Sequence, residues 1–341
     1  MAAYNLYPYE PSLALAITFA VIIGISLLTH IYQNFHYKFW RINFFLVWGG
    51  AVFTAGWTMR AVSTRDLENI PPFIAQTVLI LAGPPIYAAA EYNILGRLMH
   101  YLPMHAPLNP SRVVYLFIYM GAGVEGLTAA VATLMASGGS SSVGSSNFMT
   151  GGVLISVALV LQGVVECFFL SMVALLHYRC VRSRMLAPNV RMLCIMLYGT
   201  SSLVLLRCIF RVVQAFSMYA GNCGQYYYCG ASSKDEWYLY VFEAAPMALY
   251  TYWLNVVHPG RYLPVEHERY LDPDGKTERI GPGWIDERSK ALTFIDLFDV
   301  KSAFRGRSES SKFWLRPEEW PACLDRQVRP SVKTCSEVER S

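Results

Sequence analysis

Between Leu13 and Val257 the chain runs as apolar blocks separated by short polar joints. Seven blocks stand out: Leu13–His30, Ile42–Ala61, Phe73–Leu95, Val113–Ala136, Gly152–His177, Met192–Phe216 and Trp237–Val257. At 1.5 Å rise per residue, a helix through each block reaches across about 30 Å of hydrocarbon. The pattern predicts an all-α, polytopic seven-helix transmembrane bundle. The segment before the first block, MAAYNLYPYEPS, has no Lys or Arg. The basic start of a signal peptide is therefore missing, and the first block reads as a true span.

Composition agrees. Mean hydropathy is +0.31, and charged residues are only 15% of the chain, against about 25% in soluble domains. The charges are also segregated. Residues 258–341 hold 15 of the 28 Lys and Arg and 15 of the 24 Asp and Glu. The expected organisation is a short N-terminal tail (1–12), a membrane domain (13–257) and a largely irregular soluble tail (258–341). Within that tail, residues 289–304 place apolar side chains at helical spacing, as in an amphipathic helix lying on a membrane surface. The net charge of +4 sits in the loops between spans and does not indicate a nucleic-acid partner.

Those loops predict an orientation. The first, third and fifth hold Lys38, Arg41, Arg97, Arg112, Arg179, Arg182, Arg184 and Arg191; the opposite side holds Arg65 and Lys234. The positive-inside rule puts the N-terminus outside and the C-terminus in the cytoplasm. Cys223 and Cys229 then fall in an outer loop, where they are candidates for a disulfide.

Ionisable groups at membrane depth are costly and point to function by default. Arg207 and Arg211 lie in the sixth block, Glu243 in the seventh, Glu125 in the fourth, and Arg60 closes the second. Helix rise puts Glu243 roughly 9 Å and Arg207 about 8 Å below the outer surface. Arg207, Arg211 and Gln214 share one helix face through i, i+4, i+7 spacing. These residues, Arg60, Arg207, Arg211, Gln214, Glu125 and Glu243, are expected to form one outer-half polar cluster. It reads either as an ion pair closing the bundle or as a cavity that binds a polar head group. Glu91, Glu166, Gln76 and Gln162 form a secondary set, with Glu91 and Glu166 in the inner half. Pro84 and Pro85 kink the third span. Gly121, Gly123 and Gly126 in the fourth are suited to close helix packing.

No ATP-binding loop, HExxH or GxSxG occurs, so nothing suggests an enzyme, a cofactor or an ATP motor. The seven histidines lie in loops, in the tail and at span ends assigned to the cytoplasm, and no metal site is expected.

Several motifs together resemble the fungal RTA-like family, lipid-translocating exporters named for resistance to aminocholesterol. YEPS (Tyr9–Ser12) is similar to the family's Y-x-P-S start. FIAQTVLILAGPPIYAAAEYNILGR (Phe73–Arg97) resembles its third-span motif, with Gln76, Pro84, Ala88, Ala89, Tyr92, Gly96 and Arg97 in place. Gln162, the R-x-x-x-R of Arg207 and Arg211, Glu236, and His258-Pro259-Gly260 extend the likeness over about residues 9–263. The chain departs from the family in three places. Gly121, Gly123 and Glu125 replace an Asp and a downstream Gln in the fourth span. Gln214 stands at a usually acidic position, and Glu243 stands where Asp is usual.

The resemblance implies a membrane protein that exports or flips sphingoid long-chain bases and confers resistance to toxic lipophiles. Its partners would be membrane lipids or lipophilic small molecules, and its location the plasma membrane or another endomembrane. A seven-span receptor or stress sensor is the alternative, although DRY-like and NPxxY-like patterns are absent.

Overall fold

The computed structural model describes residues 7, 9–137, 146–219, 235–266, 268–272, 274–275, 277–283, 313–315 and 317–323. The Cys223/Cys229 pair and residues 289–304 lie outside the described residues. Most of what is described is helical. The long helices are α1 (Leu13–Tyr37), α2 (Trp40–Ser63), α3 (Ile70–Tyr101), α4 (Pro110–Ser137), α5 (Ser146–Arg182) and α6 (Pro188–Tyr219). The last, α7, is continuous but changes pitch. It runs α-helical over Trp237–Leu239, π-helical over Tyr240–Ala244, and α-helical again over Ala245–Val256. Among the described residues, four helices, α1, α3, α5 and α6, are long and apolar enough to cross a membrane.

Helix starts follow local chemistry. Ser12 caps α1, its hydroxyl accepting from Leu15 N at 3.4 Å. Pro110 and Pro188 open α4 and α6, where a missing N–H costs nothing. The π segment also has a local reason. Pro246 cannot donate to the carbonyl four residues back, and just before it Ala245 N bonds Tyr240 O, five residues back.

Each helix packs on its chain neighbour, and α7 packs on both α6 and α1, so the helices close a ring. The third helix also touches α5 and α6, and its second half is almost wholly buried. Close approach depends on particular glycines. A Cβ on Gly83 would meet Phe53 of α2 at 2.7 Å, and one on Gly96 would meet Val114 of α4 at 2.1 Å. The glycines expected to pack α4 do not do so. A Cβ on Gly123 or Gly126 would have nothing within 4 Å, and one on Gly121 only Tyr92 at 3.9 Å. They leave space beside the helix instead.

The tail contains regular structure that its mixed composition hides. Strands β1 (Arg269–Leu271), β2 (Glu278–Ile280) and β3 (Ala322–Cys323) form an antiparallel sheet in that order. The β1–β2 turn uses Gly275 at φ +70° and Asp274, whose carboxylate accepts from Thr277 N at 2.8 Å. Tyr101 OH at the end of α3 donates to Glu278 Oε1 at 2.7 Å, which docks the sheet on the helix bundle.

Candidate functional site

The two arginines of α6 converge on one carboxylate. Arg207 Nε donates to Glu243 Oε1 and Arg211 Nε to Glu243 Oε2, each at 2.7 Å. The side chains of Arg207 and Glu243 are 0% exposed. Arg211 Nη1 also donates to Gln214 Oε1 at 2.8 Å, so the i, i+4, i+7 face is one connected strip. The third helix contributes too. Pro85 has no N–H for the Leu81 carbonyl one turn back, and Arg207 Nη2 reaches that carbonyl at 3.4 Å. Pro85 and Arg207 thus solve a single hydrogen-bonding problem. With one acid against two bases, the triad keeps one positive charge.

Arg60 does not join this group. It pairs with Glu236 at the head of α7, Nη2 to Oε1 at 2.7 Å, and donates to Tyr9 OH at 3.2 Å and Tyr240 OH at 3.4 Å. Glu236 Oε2 also accepts from Ser12 N at 2.7 Å. This knot ties the N-terminal tail to α2 and α7. Gln76 belongs beside it: its Nε2 donates to Tyr7 OH at 2.6 Å, and the Arg60 guanidinium lies 5.6 Å from the Tyr7 ring. The expected single cluster therefore divides, with Arg60 and the triad spaced along α7 by Glu236, Tyr240 and Glu243. Loop charge and helix rise give depth but no azimuth, so they cannot separate them.

Glu125 faces a different opening. With Gly121 and Val124 of α4, Pro85, Ala88 and Tyr92 of α3, and Gln162, Val165 and Glu166 of α5, it lines a cavity of about 20 Å3. Glu125 and Gln162 stay partly exposed. Their surroundings on α5 are an apolar exposed belt that includes Val157, Val160, Leu161 and Val164. Glu166, by contrast, is 2% exposed. Glu91, expected in the same inner half, lies next to it: Ser201 Oγ of α6 donates to Glu91 Oε2 at 2.5 Å and also faces Glu166. Neither carboxyl has an ion-pair partner among the described residues.

A further polar network escaped the sequence reading. Between α1 and α7, His30 Nε2 meets Thr251 O at 3.1 Å, Gln33 Nε2 donates to Asn255 O at 2.7 Å, and Asn255 Nδ2 to Ser26 Oγ at 2.6 Å. The signal is there, because Ser26, His30 and Gln33 recur at i, i+4, i+7 from the first apolar block into the residues just after it. Just past α7, His258 Nε2 meets Asn43 Nδ2 at 2.8 Å while its Nδ1 accepts from Gly260 N at 3.1 Å. Because Nδ1 accepts, the neutral ring carries its hydrogen on Nε2, which faces the Asn43 side-chain amide. Burial, with Arg261 adding to it, pushes the His258 pKa down to about 4. A Cβ on Gly260 would stand 2.9 Å from Tyr37 and 3.0 Å from the His258 ring, which accounts for the His-Pro-Gly run. Arg97, likewise, holds the tail by donating to the carbonyls of Pro264, Val265 and Glu266 at 2.6, 3.2 and 2.8 Å.

Comparison with known proteins gives these motifs a family. The family described as RTA1 like protein matches residues 46–266. The chain belongs to that family. It is 33% identical over 292 residues to the lipid-translocating exporter-like protein RTA1 of Leptosphaeria maculans, covering 82% of this chain and 55% of the relative. A protein of the same description in Ajellomyces capsulatus is 28% identical, over 79% of this chain and 84% of its own. Protein RTA1 of Saccharomyces cerevisiae is 26% identical, over 83% and 94%. The chain spans about half the length of the L. maculans relative. No solved structure matches. As an RTA1-like protein with four long apolar helices, it is an integral membrane protein.

Proposed function

We propose that this protein translocates an amphiphile across the bilayer, with a sphingoid long-chain base as the substrate class, and that no ATP is consumed. All seven helices cross the membrane, N-terminus outside, and the plasma membrane is the expected location. One observation carries the reading: polar Glu125 and Gln162 sit partly exposed on an apolar belt, at a cavity between α3, α4 and α5. A head group can enter there while its acyl chain stays in lipid. The open flank of α4 at Gly123 and Gly126 leaves room for that chain. Two relatives described as lipid-translocating exporter-like proteins support the same class.

The residues divide by role. Glu125 is the counter-charge for an amine head group. Glu243 is already neutralised by Arg207 and Arg211, so the triad holds α6 and α7 together beside the cavity and supplies its field. At about 20 Å3 the cavity has room for one water. The state described is closed, and passage requires α4 and α5 to part.

The test is flip-flop of a fluorescent long-chain base in vesicles holding the purified protein. Wild type is expected to accelerate it, Glu125→Gln to lose most of that acceleration, and Arg279→Ala in the tail sheet to retain it. Absence of any protein-dependent movement would reject the reading.

A further inference from the structure

The arginine triad leaves one buried acidic feature unexplained. Glu91 of α3 and Glu166 of α5 are 0% and 2% exposed, and the Oε1 atom of each has no hydrogen-bond partner among the described residues. They meet at Ser201, whose single hydroxyl hydrogen is given to Glu91. A serine can donate only once, so its hydrogen serves one of the two carboxyls at a time. The other hydroxyls beside Glu91 are neutral and shared with backbone carbonyls: Tyr250 donates to Tyr87 O and Thr200 to Met196 O. The groups facing the pair do not neutralise it. Tyr92 comes from α3, Glu125 lines the shared cavity from α4, Cys208 comes from α6 and Tyr250 from α7. The nearest base on α6, Arg207, is engaged by Glu243 and the Leu81 carbonyl.

Two carboxylates brought together in an apolar interior cannot both stay ionised. Something positive must complete the pair. The cavity touching Glu166 decides what it is: about 20 Å3 admits one water, too little for an ammonium head group or a hydrated metal ion. We infer that Glu91 and Glu166 form a proton-binding site, and that the proton is exchanged for the cationic head group during translocation.

This deepens the translocation reading and rests on it. In the closed state the extra proton sits on Glu166, whose O–H can turn to Ser201 Oγ or to a cavity water. When the cavity opens and a cation reaches Glu125, the same positive charge favours the ionised form of Glu166. Its proton then passes to cavity water and leaves on the side to which the cavity is open. Departure of the cation restores the proton. Charge is conserved at each step, and the driving force is a pH difference across the membrane.

Two measurements on the full chain test this. The first is infrared spectroscopy of the purified protein at neutral pH. A protonated-carboxyl C=O band is expected in wild type and is expected to be missing from Glu166→Gln, with Glu91→Gln as the second variant if the first does not fold. No band lost in either folded variant overturns the proton site, whatever the lipid does. The second uses vesicles and an N,N,N-trimethyl long-chain base, whose fixed charge prevents it from carrying a proton itself. With one proton exchanged per base, a one-unit pH difference should shift its distribution about tenfold. Glu166→Gln should equilibrate the base with no response to pH. Wild type that moves the base but ignores the gradient overturns the coupling and leaves the translocation reading standing. Wild type that moves no base at all overturns both the coupling and that reading, while the infrared band is judged separately.

Discussion

The α6–α7 triad and the α3–α5 carboxyl pair bury similar chemistry and resolve it oppositely. In the triad, every oxygen of Glu243 is met by an arginine nitrogen at 2.7 Å, and a carbonyl freed by Pro85 takes up another donor. In the pair, Glu91 and Glu166 meet only neutral hydroxyls among the described residues, the closest being Ser201 at 2.5 Å from Glu91. A buried charge left without a partner costs several kcal/mol and is retained only where something compensates. The charges of the triad are compensated from within, with Arg207 Nη1 alone of its arginine nitrogens buried and without a partner among the described residues. The pair needs a particle from outside, and it borders a cavity. The contrast teaches that the number of charges in a helix does not locate the working site; the number left unanswered does.

The largest expected effect breaks the triad. Glu243→Gln strips the carboxylate from two arginines, one of them fully buried. Removing one partner of a buried ion pair costs about 3–5 kcal/mol. Thermal or denaturant unfolding in detergent should show that loss. An unchanged midpoint would mean that water reaches the arginines and the triad is not the closure we describe.

A third solution to burial is suppression of the charge, and His258 beyond α7 uses it. Its pKa is pushed from the ordinary 6.5 to about 4, by burial first and Arg261 second. A depressed folded pKa means that protonation opposes folding. The contribution is fully present above pH 6.5, shrinks as pH falls towards 4, and is gone below that. The difference corresponds to about 3 kcal/mol. Unfolding of wild type and His258→Asn at pH 7 and pH 4 should show the wild type losing about that much more. Parallel pH curves would show that His258 is as exposed when folded as when unfolded.

Between the two buried regions stands Glu125, partly exposed at the cavity. Glu125→Gln removes a charged acceptor worth about 2 kcal/mol to a cationic head group, hence roughly thirtyfold in the rate of long-chain-base movement. Stability should scarcely change, because no ion pair among the described residues depends on it. An equal rate in the variant would move the head-group site away from α4.

How much of this is legible in sequence depends on what each signal encodes. Helix rise along an apolar block gives depth, so Arg207 and Glu243 match on sequence position alone. It gives no azimuth, so Arg60 falls in with them although it turns to Glu236. Glu91 and Glu166 both fall in the inner half, yet their meeting point is invisible in the sequence, because Ser201 looks like any small polar residue in a span. The glycines of α4 suggest packing because small side chains permit contact; permission is not contact, and the helix leaves that flank open. Family motifs are legible as strings, but their reasons are not. Tyr9 and Ser12 serve Arg60 and Glu236, and Gly260 makes room for His258. The tail sheet escapes notice because strands of two or three residues carry no periodicity.

The smallest expected effect bears most directly on the contrast between the triad and the pair. Glu166→Gln is the same chemical change as Glu243→Gln, made at a residue almost as deeply buried. If Glu166 carries a proton when the cavity is closed, its neutral carboxyl and the amide of Gln have nearly the same shape and polarity. The substitution then removes no charge, leaves no cation unpaired, and even relieves Glu91 of a competitor. Its cost should be under about 1 kcal/mol, the range of near-isosteric swaps, against about 3–5 kcal/mol at Glu243. Unfolding both variants in one detergent, beside wild type, compares the two directly. A loss at Glu166 as large as that at Glu243 would mean that an ionised carboxylate is needed there. A cationic partner would then have to complete the pair in place of a proton, and the two regions would be variants of one ion-paired design.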